Sequence, residues 1–308
     1  MINILVTGGA GFIGSHMISY LLKFNKYNIT TIDNLSSGYK KNIPKNVNII
    51  IGDCSDEKFI NSINTKFDII IHLAAQSGGE GSFDDVIYDI NTNAKATLVL
   101  LNLARRVSCK RFIFMSTVAI YGGINNIEKY SEKSPIDPHT FYAINKLTSE
   151  YYLKLYYENY KIDYTIFRLF NCYGPNQNLN NMKQGIVSIY LKQFIDNNYD
   201  KVIIKGSLDR IRDLIHVDDV VTITYDSIYN KNFFNNIFNL ATGKPTTVKE
   251  LLEKIKKIGK FKKDYIVKGK TPGDMNKIYA NIDKLNKIYN TYNFITLDKG
   301  LQYINHIV

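Results

Sequence analysis

The 308-residue chain has no tryptophan, six prolines, five histidines and three cysteines. Cys54, Cys109 and Cys172 are widely scattered and form no Cys-x-x-Cys pair. That argues against a disulfide framework and a zinc site, and for a reducing cytoplasm. The histidines form no ligand cluster, so no metal is expected. No apolar run approaches the roughly 18 residues of a membrane span. Ile2–Val6 opens directly as a strand, with no basic segment leading into a signal-peptide core. Membrane binding and export are therefore not expected. Acidic residues are in deficit, 28 against 39 basic ones, for a net charge of +11. Much of the excess lies between Lys249 and Lys270. There Val248, Leu251, Leu252, Ile255 and Ile258 make a helical stripe, entered by a Thr247/Glu250 capping box and ended by Gly259. The lysines fall on its outside, which reads as a solvated face and not a nucleic-acid surface.

What is present is an ordinary globular core, 45% hydrophobic, enough to exclude global disorder. β-Branched runs at 3–7, 29–33, 47–51, 68–73, 111–116 and 164–168 alternate with amphipathic helical stretches at 11–24, 85–107 and 140–159. Strands separated by helices pair in parallel, so the expected fold is α/β, a doubly wound parallel Rossmann sheet. After Arg168 the rhythm breaks into a Gly/Pro/Asn-rich stretch, 171–184, and a smaller mixed α/β substrate domain follows. Because Ile237–Leu240 can rejoin the main sheet, the division is discontinuous. The dinucleotide domain takes 1–170 and 212–240, and the substrate domain takes 171–211 and 241–308.

Thr7-Gly8-Gly9-Ala10-Gly11-Phe12-Ile13-Gly14 follows the first strand and opens the first helix. Glycines let the backbone turn tightly and approach a pyrophosphate, whose charge then sits on helix N–H groups. Asp33 ends the second strand 19 residues after Gly14 (33 − 14), where its carboxylate can take both hydroxyls of an adenosine ribose. The same charge repels a 2′-phosphate, so the cofactor is NAD in preference to NADP. Asp53, after the third strand, either contacts the adenine edge or caps its loop. Tyr142 and Lys146 stand one helical turn apart on one face. A free tyrosine, with a pKa of about 10, is a poor base at neutral pH; a neighbouring lysine and a positive nicotinamide ring both favour its phenolate. A hydroxyl donor is expected at the end of the fifth strand, and Thr117 supplies it.

These motifs carry a resemblance. The sequence is similar to the extended short-chain dehydrogenase/reductases of the NAD-dependent nucleotide-sugar epimerase/dehydratase family, UDP-glucose 4-epimerase being their type. The match runs over nearly the whole chain: the glycine loop, Asp33-Asn34-Leu35, Gly52-Asp53, Leu73-Ala74-Ala75, Tyr142…Lys146…Glu150, the run Arg168–Pro175, the run Arg212–Asp219 and Pro272-Gly273-Asp274. It implies Thr117, Tyr142 and Lys146 as catalytic residues. Around the cofactor it places Phe12, Ile13, Asn34, Cys54, Leu73, Ala74, Ala75 and Gln76, with Asn91 as a buttress and Phe170 near the nicotinamide. It puts Asn171 and Arg212 on the diphosphate of a nucleotide-sugar substrate, a role that suits a guanidinium's fork. Asp274 belongs to the substrate side. Ile278, four residues beyond it, is expected to line the pocket at the sugar's C2 and to leave room for an N-acetyl group. The resemblance also implies a homodimer built on the helices at 85–107 and 140–159.

The chain departs from the family in three places. Ala94-Lys95 replace a usual Gly-Thr, Thr271 replaces an arginine common on the diphosphate, and loop 76–82 is unusually rich in glycine. The 4,6-dehydratases carry an Asp-Glu pair after the catalytic threonine; here the positions are Val118 and Ala119. Neither exchanges a proton, so the expected reaction is 4-epimerisation of a UDP-hexose or UDP-N-acetylhexosamine. Another 4-keto chemistry (4-dehydrogenase, decarboxylase, dehydratase) is the alternative on the same scaffold. A non-catalytic protein that binds NAD or RNA is the alternative from another class.

Overall fold

The computed structural model describes residues 1–123, 127, 129–270 and 275–307. In chain order it runs β1 (Ile2–Thr7), α1 (Phe12–Leu22), β2 (Tyr27–Asp33), β3 (Asn48–Ile51), α2 (Glu57–Ser62), β4 (Ile69–His72), α3 (Val86–Ile90), α4 (Ala96–Arg106), β5 (Arg111–Thr117), β6 (Lys129–Tyr130), α5 (Phe141–Tyr160) and β7 (Asp163–Leu169). Then come β8 (Asn171–Tyr173), α6 (Ile186–Ile195), β9 (Val202–Ile204), β10 (Ile211–His216), α7 (Val217–Asp226), β11 (Asn236–Leu240), β12 (Pro245–Thr247) and α8 (Val248–Ile258).

Seven strands form the main sheet in the order β3-β2-β1-β4-β5-β7-β11, every pair parallel. Helices cover both faces, which is why central strands read as unbroken apolar runs: Ile69, Ile70 and Ile71 of β4 are all buried. One face packs Met17, Ile18 and Leu21 of α1 against Val220, Val221 and Ile223 of α7. The other packs Leu100, Leu103 and Ala104 of α4 and Leu153 of α5 over Phe112 and Phe114. Strand order reverses between β1 and β4, and at such a switch point the loops leaving the strands open a crevice.

A second sheet, β12-β10-β8, and the apolar stripes of α6 and α8 enclose a separate core of Val187, Leu191, Leu251, Leu252 and Ile255. Outside it, α8 keeps its lysines wet and ion-paired: Lys254 meets Asp298 at 2.8 Å and Lys256 meets Asp264 at 3.0 Å. No helix among the described residues is long and apolar enough to cross a membrane.

The long helix expected over 85–107 is divided. Between α3 and α4 the residues Asn91–Lys95 make a π-helical turn. Hydrophobic spacing does not reveal one extra residue in a turn, because the apolar stripe resumes beyond it.

Candidate active site

The loop after β1 is shaped by two glycines. Gly8 has φ +73°, and a Cβ there would lie 2.7 Å from the Ala74 nitrogen; at Gly14 a Cβ would lie 2.1 Å from the Gly8 oxygen. Only glycine lets β1, the loop and α1 approach this closely. The result is a cradle at the N-terminus of an 11-residue helix, where unpaired N–H groups favour an anion. Asp33 is buried at the tip of β2 and borders this cradle; its oxygens accept from the Ala10 nitrogen at 2.9 Å and the Leu35 nitrogen at 2.8 Å. Each oxygen keeps a lone pair for a ligand hydroxyl.

A cleft of about 190 Å³ runs over the cradle, bordered by Gly8, Gly11, Phe12, Ile13, Gly14, Asp33, Asn34, Asp53, Cys54, Leu73, Ala74 and Ala75. The Asp53 carboxylate accepts from Asn34 at 3.0 Å and from Ser55, which hold its carboxyl below the usual range although burial opposes them. The glycine cradle, the helix end and the Asp33 acceptor fit an adenine dinucleotide. Sequence reasoning missed the outer wall, Asn176, Gln177, Asn178, Asn181 and Gln184. A polar stretch with a proline reads as a plain loop, and nothing in it signals which surface it folds over.

A second cleft, about 610 Å³, shares Phe12, Ile13, Leu73, Ala75 and Ser77 with the first and brings together Thr117, Tyr142, Lys146, Phe170, Asn171 and Arg212. Tyr142 and Lys146 come from the first turns of α5, started by Thr140, whose hydroxyl accepts from the Ala143 nitrogen at 3.1 Å. The Thr117 side chain stands beside the Tyr142 phenol, and its hydroxyl accepts from the Ala119 nitrogen at 3.1 Å. Lys146 donates to the Met115 carbonyl at 3.1 Å and lies 6.0 Å from the centre of the Tyr142 ring.

Burial governs both groups, pushing the Tyr142 phenol up to about 12 and the Lys146 ammonium down to about 7. The Thr117 side chain lowers the first and Asp89 raises the second, each by less. The favouring of phenolate by Lys146 is thus outweighed by desolvation in the protein alone.

Behind the pair, a network locks β5, α5 and β7 together. Glu150 accepts from Ser116 at 2.6 Å and from Arg168 at 2.8 Å, and Arg168 reaches the Tyr121 hydroxyl at 3.1 Å. A second chain was not foreseen. His72 is buried and held neutral by burial, with its ring nitrogens 2.7 Å from the Thr7 hydroxyl and 3.1 Å from the Thr97 hydroxyl. Thr97 donates to the Asn93 carbonyl at 2.9 Å.

Several expected contacts are corrected. Ile278 does not border either cleft: it is fully buried among Ile120, Tyr121, Tyr130 and Ala280. Its nitrogen donates to the Ile211 carbonyl at 3.2 Å, which fixes the strand register that turns the side chain inward. Met275 borders the substrate cleft instead. Asn91 sits on the π-turn and lines neither cleft; Asn93, fully buried, donates to the Gln76 carbonyl at 2.9 Å. Gln76 itself turns aside, its amide donating to the Gly78 carbonyl at 3.4 Å. Thr271 and Asp274 lie outside the described residues.

The geometry has counterparts among known proteins. Residues 4–241 match the model of the NAD dependent epimerase/dehydratase family. The chain belongs to that family. Within it, the chain is 34% identical over 282 residues to a Methanocaldococcus jannaschii protein provisionally named UDP-glucose 4-epimerase, covering 91% of this chain and 90% of that one. It is also 33% identical to human dTDP-D-glucose 4,6-dehydratase, over 82% of this chain and 74% of the other. The crystal structure of a Thermotoga maritima UDP-glucose 4-epimerase with UDP-glucose superposes with a TM-score of 0.93, at 33% identity, over 99% of this chain and 98% of that one. This member of the epimerase/dehydratase family thus stands among epimerases and dehydratases of nucleotide sugars.

Proposed function

We propose that the protein is an NAD-dependent nucleotide-sugar 4-epimerase acting on a UDP-hexose. The observation that carries this reading is the pair behind Thr117. Val118 and Ala119 both border the substrate cleft beside Tyr142, and neither can move a proton. The two positions after the threonine thus hold no acid for expelling a C6 hydroxyl, and Glu80, which also borders the cleft, is paired with Lys205 at 2.7 Å. That favours a redox-neutral change at C4 over dehydration.

In this reading Asp33 takes the ribose hydroxyls of NAD, and the Gly8–Gly14 cradle takes its pyrophosphate. Bound NAD supplies hydride acceptance and return, and a positive ring near the phenol. Tyr142, beside Thr117, takes the C4 hydroxyl proton and gives it back. Arg212 and Asn171 hold the diphosphate at the other end of the cleft, leaving the keto sugar to swing about its phosphate linkage. A cavity of about 610 Å³ gives it the space to present its other face. The family relation and the UDP-glucose bound in the Thermotoga maritima structure support the substrate class.

A homodimer belongs to the same proposal. Ile87 and Ile90 of α3 and Ile144, Tyr151 and Leu155 of α5 are all exposed, an apolar surface on the helices expected to pair. Ile278 faces the core and so has no part in admitting an N-acetyl group.

The test is to incubate the protein with UDP-glucose and NAD and follow the sugar by NMR. UDP-galactose without net NADH is the expected outcome. A 4-keto-6-deoxy product from any UDP-, GDP- or dTDP-hexose overturns the reading in favour of a dehydratase, and turnover of none of them overturns an enzymatic role.

A further inference from the structure

Asp89, on α3, is a carboxylate with no exposed surface, lying behind the candidate acid–base pair. Its two oxygens accept from amides: Oδ1 from Asn145 at 2.7 Å and Oδ2 from Asn93 at 3.1 Å. Asn145 immediately precedes Lys146, and Ser149, one turn on, donates to the Asn93 carbonyl at 2.8 Å. The catalytic turn of α5 is thus stapled to the segment 89–93 at two successive levels. Two amide donors on a buried carboxyl favour its ionised form, while burial raises its pKa. Its charge acts on both Lys146 and Tyr142, raising the affinity of each for a proton. Of the other charged groups on neighbouring elements, Lys95 on the π-turn is exposed, Asp84 and Asp85 flank the start of α3 in solvent, and Glu80 is turned to Lys205 at 2.7 Å. His72, on β4, faces Lys146 and is neutral.

We propose that Asp89 is a positioning residue for the Tyr142–Lys146 pair: a buried carboxylate, oriented by Asn145 and Asn93, whose charge keeps Lys146 protonated and Tyr142 from ionising early. It touches neither substrate nor cofactor; it acts through the pair. A buried carboxylate without a directly bonded cation is costly to keep, and here its charge opposes the effect of burial on Lys146 and adds to the effect of burial on Tyr142. The proposal rests on the reading of Tyr142 and Lys146 as the acid–base pair, but its test does not require that the protein epimerise anything.

Protein labelled with ¹³C at the tyrosine Cζ and lysine Cε positions, with Tyr142→Phe and Lys146→Met for assignment, gives the two titrations by NMR without cofactor or substrate. In Asp89→Asn both midpoints are expected to fall, by about one pH unit each, the shift typical of removing a close charge. A loss confined to stability, with both midpoints unmoved in a folded variant, overturns the proposal and leaves Asp89 a structural residue. If Asp89→Asn does not fold, the native protein decides through its aspartate ¹³Cγ signals. Asp89 ionised throughout the range in which Lys146 titrates upholds the proposal, and Asp89 neutral there overturns it. With an active enzyme, both limbs of the kcat–pH profile shift to lower pH in the variant. An inactive native protein whose midpoints still move rejects the epimerase reading and keeps this one.

Discussion

At the scale of single residues, the strongest expectation concerns Tyr142. Removing its hydroxyl leaves the ring packed but takes away the phenol beside Thr117, so Tyr142→Phe should bind NAD normally and lose about 10²- to 10⁴-fold in kcat. Steady-state rates with equilibrium NAD titration check this. Asp33 makes a different prediction. Its carboxylate borders the cleft over the glycine cradle; on the proposed placement of the ribose there, NAD should bind more tightly than NADP, and Asp33→Ala should narrow the gap; fluorescence titration with both dinucleotides measures it. Ile278 is the residue whose role changed. With its side chain at zero exposure in the core, Ile278→Tyr should overpack, costing about 1–3 kcal/mol in urea unfolding while leaving sugar preference unchanged. Asp33, Tyr142 and Lys146 were legible because each sits on a regular element whose period fixes its direction. Ile278 was counted along a loop, where spacing carries no direction, and the pairing with Ile211 turned it inward.

At the scale of elements, α5 serves two purposes. One face carries Tyr142, Asn145, Lys146, Ser149 and Glu150 to the site, and another leaves Tyr151 and Leu155 about half exposed. Leu147 and Tyr156 of the same helix pack inward, and Tyr156 donates to Asn102 at 2.7 Å. The outward pair is the handle for testing the dimer. Tyr151→Lys with Leu155→Lys should convert a two-protomer mass to a one-protomer mass in light scattering at micromolar concentration, with the circular dichroism spectrum unchanged. A one-protomer mass for the native chain removes the dimer. The π-turn at 91–95 was invisible to periodicity because its contacts are tertiary: Asn93 donates to the Gln76 carbonyl, Ser149 donates to the Asn93 carbonyl, and Thr97 just beyond it meets His72.

At the scale of the molecule, burying a lysine leaves a signature in stability. Lys146 titrates near 7 when folded against about 10.4 when unfolded. Between those values the unfolded chain binds more protons, so this group adds stability as pH rises from about 7 toward 10 and withholds it below. The cofactor-free protein should therefore gain more stability over that range than Lys146→Met does, measured as the difference in urea midpoints. A gain of the same size in both proteins would show that Lys146 is not the source. Part of the chain's positive charge is met locally: Lys254 and Lys256 of α8 pair with Asp298 and Asp264.

By itself, the sequence determined the alternation of strands and helices, the glycine loop, the acid after β2 and the tyrosine–lysine pair. All of these are local patterns, in which spacing along the chain translates directly into direction in space. The tertiary structure alone decided what folds over them: the loop 176–184 along the first cleft, the inward turn of Ile278, the bond of Asn93 to the Gln76 carbonyl, and the carboxylate of Asp89 beneath the turn that carries Lys146. These depend on contacts between residues distant in sequence, such as Asp89 and Asn145, 56 positions apart. Burial at such contacts overrules the ordinary charge preference of an amine or a phenol, and no single segment contains the information for it.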